Sequence, residues 1–291
     1  MSNRFEVRFW GVRGSIASPG AETALVGGNT SSVEVRLGER GDTCILLDAG
    51  TGLRRLGDAL LAEGKPVEAT LLLSHFHWDH IQGLPFFVPA YMPTTKLDIV
   101  GGNVRTQIRD AMVHQMSDPV FPIGFDELGA QIRTKNVRTG DTFEIGDAKV
   151  KVGKGNHPGG VLAYRIEHAG RVIVYATDTE HFACVDPDLS ALAKDADLLI
   201  YDAQYTPEEY SGKKGRSRVG WGHSTYVAAC DLARAANVGK LVLFHHDPQR
   251  SDAGVAEVEQ RAQALYPSTV AAREGQIVDV FGRPLDGEKA A

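Results

Sequence analysis

Six residues, His75-Phe76-His77-Trp78-Asp79-His80, constrain this chain more than any others. They hold three of its ten histidines and a carboxylate. They follow directly on Glu68–Ser74, whose apolar run reads as a buried strand. Imidazole nitrogens beside a carboxylate oxygen suit zinc and its first-row neighbours. Four potential ligands this close together can begin two metal sites. Any fold for this chain must therefore bring a strand end to a place where further donors converge. The competing reading is a histidine-rich polar turn, and the concentration of histidines in one hexapeptide argues against it.

The rest of the chain has the composition of a soluble globular protein, with 43% hydrophobic and 23% charged residues over 291 positions. A formal charge of −6 provides no global basic field for a long nucleic acid. A small anion remains possible, because metal ions supply their own positive charge. Cys44, Cys184 and Cys230 are far apart and form no CxxC pair, which fits a reducing compartment. The start, from Met1 to Trp10, alternates charged and apolar residues and lacks the apolar core of a signal peptide. No apolar run approaches the ~20 residues of a membrane helix. The expectation is a cytoplasmic protein with no membrane partner.

Alternation of Phe5, Val7 and Phe9 predicts a first strand. Further strands are expected at 31–37, 43–47, 68–74, 142–145, 148–153, 161–167, 171–176, 197–201 and 240–244, with late β structure over 268–280. Helices are expected after Gly52 up to Gly64, over 106–116, before Ala196, over 224–236 with Ser224 or Thr225 as N-cap, and over 254–266. Strands in runs with helices between them imply mixed sheets, packed together with helices outside. No repeat or low-complexity linker divides the chain. Residues 1–282 read as a single domain, and 283–291 as a polar tail.

A two-metal site needs more donors than the hexapeptide holds, and each should sit where a strand ends. His157 lies in Gly155-Asn156-His157-Pro158-Gly159-Gly160, after a strand; alone it could be a turn histidine. Asp178 ends the apolar run Val172–Tyr175; alone it could be a loop or capping carboxylate. A carboxylate can bridge two cations with its two oxygens. His245 and His246 follow Leu241–Phe244, and either could face a site. His223 precedes Ser224-Thr225 at a helix start, and its bland reading is a loop histidine with a structural hydrogen bond. His114, His168 and His181 have no such setting and are expected to be structural or solvated. The loop Ser211–Arg218 is a basic patch in an acidic chain. Either it is simply solvated, or Arg216, Arg218 or a neighbouring lysine meets a phosphate.

Together these residues resemble the metallo-β-lactamase superfamily, from the first strand to Asp247-Pro248. His75-x-His77-x-Asp79-His80 is similar to its signature, and His157, Asp178 and His245 follow its ligand order. Gly222-His223-Ser224-Thr225 and Leu243-Phe244-His245 resemble the ribonuclease Z-like phosphodiesterase branch. Phe9–Ser15, Gly28–Ser32 and Leu47–Gly52 resemble bacterial and phage members of that branch that open cyclic nucleotides, including the anti-Pycsar enzymes of antiviral defence evasion. The resemblance implies an α/β fold of four layers, αββα, with two metal ions at one edge of two sheets. It implies His75, His77 and His157 on one ion, and Asp79, His80 and His245 on the other, with Asp178 bridging. His246 is the reserve for His245. Asp48 would orient a ligand histidine through its ring N–H. The ions would be two Zn²⁺, with Mn²⁺ as the alternative, and related enzymes are commonly homodimers.

The chemistry that follows is phosphodiester hydrolysis. A shared water, its pKa lowered to roughly 7, would attack phosphorus in line. Asp79 would hold one of the ions, and His223 would stabilise the growing charge or protonate the leaving alkoxide. A 3′,5′-cyclic mononucleotide would yield the 5′-monophosphate. Ser224, in the hydroxyl-rich helix start, points to phosphate over lactam. Other readings are tRNA 3′ processing, thioester or lactone hydrolysis, and a non-catalytic nucleotide-binding member. In tRNA-processing members of the family a long arm sits between the His157 and Asp178 positions; here 20 residues separate them.

Overall fold

The structure is a computed structural model and describes residues 4–39, 41–102 and 106–282. The tail expected at 283–291 lies outside the described residues. The first half of the chain runs β1 (Arg4–Gly11), β2 (Ser32–Gly38), β3 (Thr43–Leu47), α1 (Gly52–Ala62), β4 (Glu68–Leu72), α2 (Trp78–Ile81), β5 (Lys96–Gly101), α3 (Ile108–Gln115) and β6 (Gln131–Asn136). The second half runs β7 (Thr142–Ile145), β8 (Ala148–Gly155), β9 (Val161–His168), β10 (Arg171–Ala176), α4 (Pro187–Ala193), β11 (Leu198–Asp202), α5 (Pro207–Tyr210), α6 (Tyr226–Ala235), β12 (Lys240–Phe244), α7 (Asp252–Leu265), β13 (Thr269–Ala271) and β14 (Ile277–Asp279).

The strands form two seven-stranded mixed sheets, ordered β14-β1-β2-β3-β4-β5-β6 and β13-β12-β11-β10-β9-β8-β7. In the first sheet β1, β2 and β3 pair antiparallel, and β3 to β6 pair parallel. The second repeats the plan: β7 to β10 pair antiparallel and β10 to β13 parallel.

One apolar cluster lies between the sheets. It joins Phe5, Val7, Phe9, Val35 and Ile45 of the first to Val150, Tyr164, Ile173, Ile200 and Phe244 of the second. A second cluster packs α1 and α3 on the outer face of the first sheet through Leu53, Leu56, Leu60, Ile108 and Met112. A third packs α4, α6 and α7 on the second sheet through Leu189, Leu192, Ala229, Leu232 and Val258. Strands with a helix layer on one side and a sheet on the other are buried on both faces. Hence β11 and the ends of β3 and β12 are continuous apolar runs, not alternating ones. The result is the four-layer αββα arrangement.

The sequence reading missed β5 and β6. β6, Gln131–Asn136, is a solvent-exposed edge strand of mostly polar residues, so it carries almost no apolar signal. The late β structure expected over 268–280 is two strands in different sheets, β13 and β14. The chain crosses the molecule between them. Among the described residues no helix is long and apolar enough to cross a membrane.

Candidate metal centre

The hexapeptide forms the turn after β4 and the single-turn helix α2. His77 is the extended residue that opens α2, and Asp79 and His80 sit within it. The carboxyl ends of the parallel strands of both sheets deliver the remaining groups: Asp48 after β3, Asp178 after β10, Asp202 at the end of β11, and His245 after β12. His157 follows β8, and His223 precedes α6.

These side chains converge into two sets. His75, His77 and His157 have donor atoms within 4.8 Å of one another; so do Asp79, His80, Asp178 and His245. In the first set, His77 Nδ1 lies 3.0 Å from His157 Nε2. In the second, His80 Nε2 lies 3.3 Å from His245 Nε2 and 3.2 Å from Asp79 Oδ2. His245 Nε2 is 3.1 Å from the same Asp79 oxygen. Asp178 stands between the sets. Its Oδ2 faces His75 Nε2 at 3.7 Å and His157 Nε2 at 3.8 Å, and its Oδ1 faces His80 and His245 at 3.2 Å each.

The outer hydrogen bonds fix the tautomers. His157 Nδ1 donates to the Gly222 carbonyl at 2.8 Å, and His245 Nδ1 to Gln204 Oε1 at 2.9 Å. His80 Nδ1 donates to Asp48 Oδ2 at 2.8 Å. Asp48 also accepts from the Ser74 amide, the Ser74 hydroxyl and the Tyr175 hydroxyl. Because the Ser74 hydroxyl donates to Asp48, its oxygen is left to accept from His75 Nδ1 at 3.0 Å. His75, His157 and His245 therefore turn a bare Nε2 lone pair inward, while His80 turns its Nε2 toward the Asp79 and Asp178 carboxylates. His75 Nε2 is buried and has no hydrogen-bond partner among the described residues. Lone pairs aimed at one another repel unless a cation lies between them. Two nitrogens on a tetrahedral zinc lie about 3.3 Å apart, close to the spacings observed. The donor set, imidazole with carboxylate, fits two divalent ions.

The electrostatics agree with that fit. Burial, reinforced by the neighbouring histidines, holds the His75 imidazole well below its ordinary value, so it stays neutral. Burial would also lower His80, but the Asp178, Asp79 and Asp48 carboxylates outweigh it and raise it well above. Burial would raise the Asp178 carboxyl; His245, His80 and His75 reverse this and hold it well below the usual range.

His223 lies against both sets. Its ring stacks on His245 with centroids 4.9 Å apart and meets the His157 ring edge-on at 5.2 Å. Its Nδ1 pairs with Asp202 Oδ2 at 2.8 Å. Burial alone would lower His223, but the Asp202 carboxylate outweighs it and raises the value to about 9.

Two glycines make this packing possible. A Cβ on Gly14 would sit 2.3 Å from His245 Nδ1, and one on Gly222, at φ +87°, would sit 2.3 Å from His157 Nδ1. Next to Gly14, the Ser15 amide donates to Asp79 Oδ2 at 2.7 Å. The fully buried Arg13 anchors this loop on the carbonyls of Gly27, Asp247 and Arg250.

One expectation changes. Ser224 is fully buried, and its hydroxyl donates to the Thr179 carbonyl at 2.5 Å; it braces the loop and is closed to a substrate. The Arg218 guanidinium lies over Trp221 at 4.3 Å and Tyr205 at 5.8 Å. Arg216 lies 5.9 Å from Trp221 on the same loop. His246 turns away from the cluster and pairs with the Ala272 carbonyl, and burial lowers its value to about 3. His168 packs edge-on against Phe5, and His181 lies on Tyr210.

The sequence reading passed over Asp202, Gln204 and Glu180. Asp202 ends an apolar strand as Asp178 does, so the same signal could have found it. Glu180, almost fully buried, accepts from the Tyr210 hydroxyl at 2.6 Å and from the Gly220 and Gly222 amides at 2.7 and 2.9 Å. It clamps the loop that carries His223, and nothing in its local sequence marks it.

Residues 43–246 match the family model described as a beta-lactamase superfamily domain. The chain is similar to a ribonuclease Z of Lacticaseibacillus casei (strain BL23), 24% identical over 309 aligned residues, covering 90% of this chain and 93% of that protein. Among solved structures it resembles the metallo-beta-lactamase fold protein YhfI of Bacillus subtilis (TM-score 0.71, 19% identity, 96% and 100% of the two chains). It also resembles Zn(2+)-bound PqqB of Methylobacterium extorquens (TM-score 0.70, 17% identity, 94% and 99%).

Proposed function

Because this chain belongs to the beta-lactamase superfamily, we propose that it is a two-metal phosphodiesterase that opens 3′,5′-cyclic mononucleotides to 5′-monophosphates. His75, His77 and His157 would hold one ion and Asp79, His80 and His245 the other, with one oxygen of Asp178 turned to each. Bound there, two divalent ions would acidify a water and neutralise charge growing on the phosphoryl oxygens. The zinc-bound PqqB neighbour favours zinc, and manganese also accepts imidazole with carboxylate.

The observation that carries the phosphodiester reading is the His223–Asp202 pair beside both donor sets. Asp202 raises the His223 imidazole above its ordinary value, which suits His223 to give a proton to the departing O3′. The Asp48 and Gln204 hydrogen bonds keep ligand rings in register. The Ser15 amide holds Asp79 Oδ2, the oxygen that faces His80 and His245.

A small substrate is supported by the connection between the His157 and Asp178 positions. Here β9 and β10 pair closely, Arg171 opposite His168, through the two-residue turn Ala169-Gly170. Both turn residues have positive φ, 49° and 76°, as tight hairpins require. Nothing projects there to grip a folded RNA. The second reading, cleavage of RNA, is favoured by the name of the curated relative, ribonuclease Z.

Assaying cyclic mononucleotides, cyclic dinucleotides, a tRNA precursor and a thioester with added Zn²⁺ or Mn²⁺ separates these readings. Release of 5′-monophosphate from a 3′,5′-cyclic nucleotide is expected. Turnover of the tRNA precursor alone selects the second reading, and turnover of the thioester alone refutes both.

A further inference from the structure

We propose that the cleft beside the first donor set is a nucleobase subsite, with the Trp78 indole as its stacking platform. This deepens the phosphodiesterase reading and rests on it for the substrate class.

The two donor sets differ in access. Asp79, His80, Asp178 and His245 are all buried, and so is the His157 imidazole, whereas His77 is exposed. A ligand therefore meets the centre from the His77 side. There a cleft of about 460 Å³ opens, lined by His75, His77, Trp78, Asp110, His114 and Pro158 among others. That size lies within the roughly 300–1,000 Å³ of small-molecule sites. A larger cleft near Asn29, Arg54 and Phe86 includes none of the clustered donors.

Trp78 stands out among the three tryptophans. Trp10 is buried, gives its N–H to Glu34 and is covered by the Arg8 guanidinium at 4.1 Å. Trp221 is covered by Arg218. Trp78 is 75% exposed, lies between two histidines of the centre, and has no stacked ring or cation among the described residues. An indole held on a short helix offers a flat apolar face at little entropic cost, and any base can stack on it. Asp110 and His114, both on α3, line the same cleft and offer polar groups to a base edge. A phosphate on the ions, with its base on Trp78, would occupy the cleft and the centre together.

The test compares ligands that share a phosphate and differ in the base. Calorimetry on the metal-loaded chain would measure 5′-AMP and ribose 5-phosphate. The proposal expects 5′-AMP to bind about tenfold or more tightly. Trp78→Ala should bring 5′-AMP down to the affinity of ribose 5-phosphate, and Trp78→Phe should keep most of the advantage. Equal affinities in the unmodified protein overturn the proposal. So does a Trp78→Ala variant that keeps the advantage, or one that only dissociates an oligomer in sedimentation. The variant's metal content and circular dichroism show that it is folded. If 5′-AMP shows the advantage but no cyclic nucleotide is hydrolysed, the subsite stands and the cyclic-nucleotide reading fails.

Discussion

The two halves of this chain are built on one plan but contribute to the centre differently. In each, antiparallel strands lead into parallel ones, and the polar groups sit at the carboxyl ends of the parallel strands. By position, β3 and Asp48 in the first sheet correspond to β10 and Asp178 in the second. Both aspartates have positive φ, 59° and 51°, as does His245 at 59°. Such a backbone persists only where the surroundings enforce it. Yet the first half packs His75, His77, Asp79 and His80 into one turn, while the second half supplies His157, Asp178, His223 and His245 singly, from four connections. Neither half completes a donor set. The centre is a property of the interface between them, and Asp178 is the group turned to both sets.

The sharpest way to break this comparison is to remove that group. Asp178→Ala should lower zinc content from about two ions per chain to below one and abolish turnover, as read by mass spectrometry and assay. Retention of both ions would mean that Asp178 is not the group that ties the two sets together. Next in size, His223→Ala should keep the ions and lose about 10²–10⁴ in kcat. Metal content falling in step with activity would make His223 a ligand instead of an acid. Its topological counterpart test is Asp48→Asn, which should weaken metal binding about 10–100-fold. An effect on kcat alone would remove Asp48 from the histidine-orienting role.

The pH dependence sharpens the same contrast. His223 is raised to about 9, so its protonated, proton-donating form is complete well below that pH and lost as pH rises through it. Turnover should fall on the alkaline side. Cations opposite the imidazole would move that limb below pH 9, and His223→Ala should lack it. His80, raised by three carboxylates, holds a proton that a metal ion must displace, so zinc affinity should rise with pH. The smallest expected effect is Tyr210→Phe. Losing the hydroxyl on Glu180 should cost about 1–2 kcal/mol of stability, read by denaturant unfolding.

The same contrast explains what the sequence made legible. The hexapeptide announced itself because its donors are neighbours in the chain. His157, Asp178 and His245 were found because each ends an apolar strand. Asp202 was overlooked despite the same signal, and Glu180 and Gln204 carry none: their roles arise from hydrogen bonds across 30 or more residues. β6 was invisible because an exposed edge strand need not be apolar. Ser224 was misread because a hydroxyl at a helix start satisfies backbone as readily as phosphate.

Titrating metal-free protein with Zn²⁺ in a calorimeter tests the central claim most directly, with the unmodified chain and Asp178→Ala run in parallel. The account predicts two equivalents bound by the unmodified chain, with the stoichiometry lost in the variant. One equivalent in the unmodified chain, or two in Asp178→Ala, would contradict a two-ion centre whose donor sets Asp178 ties together.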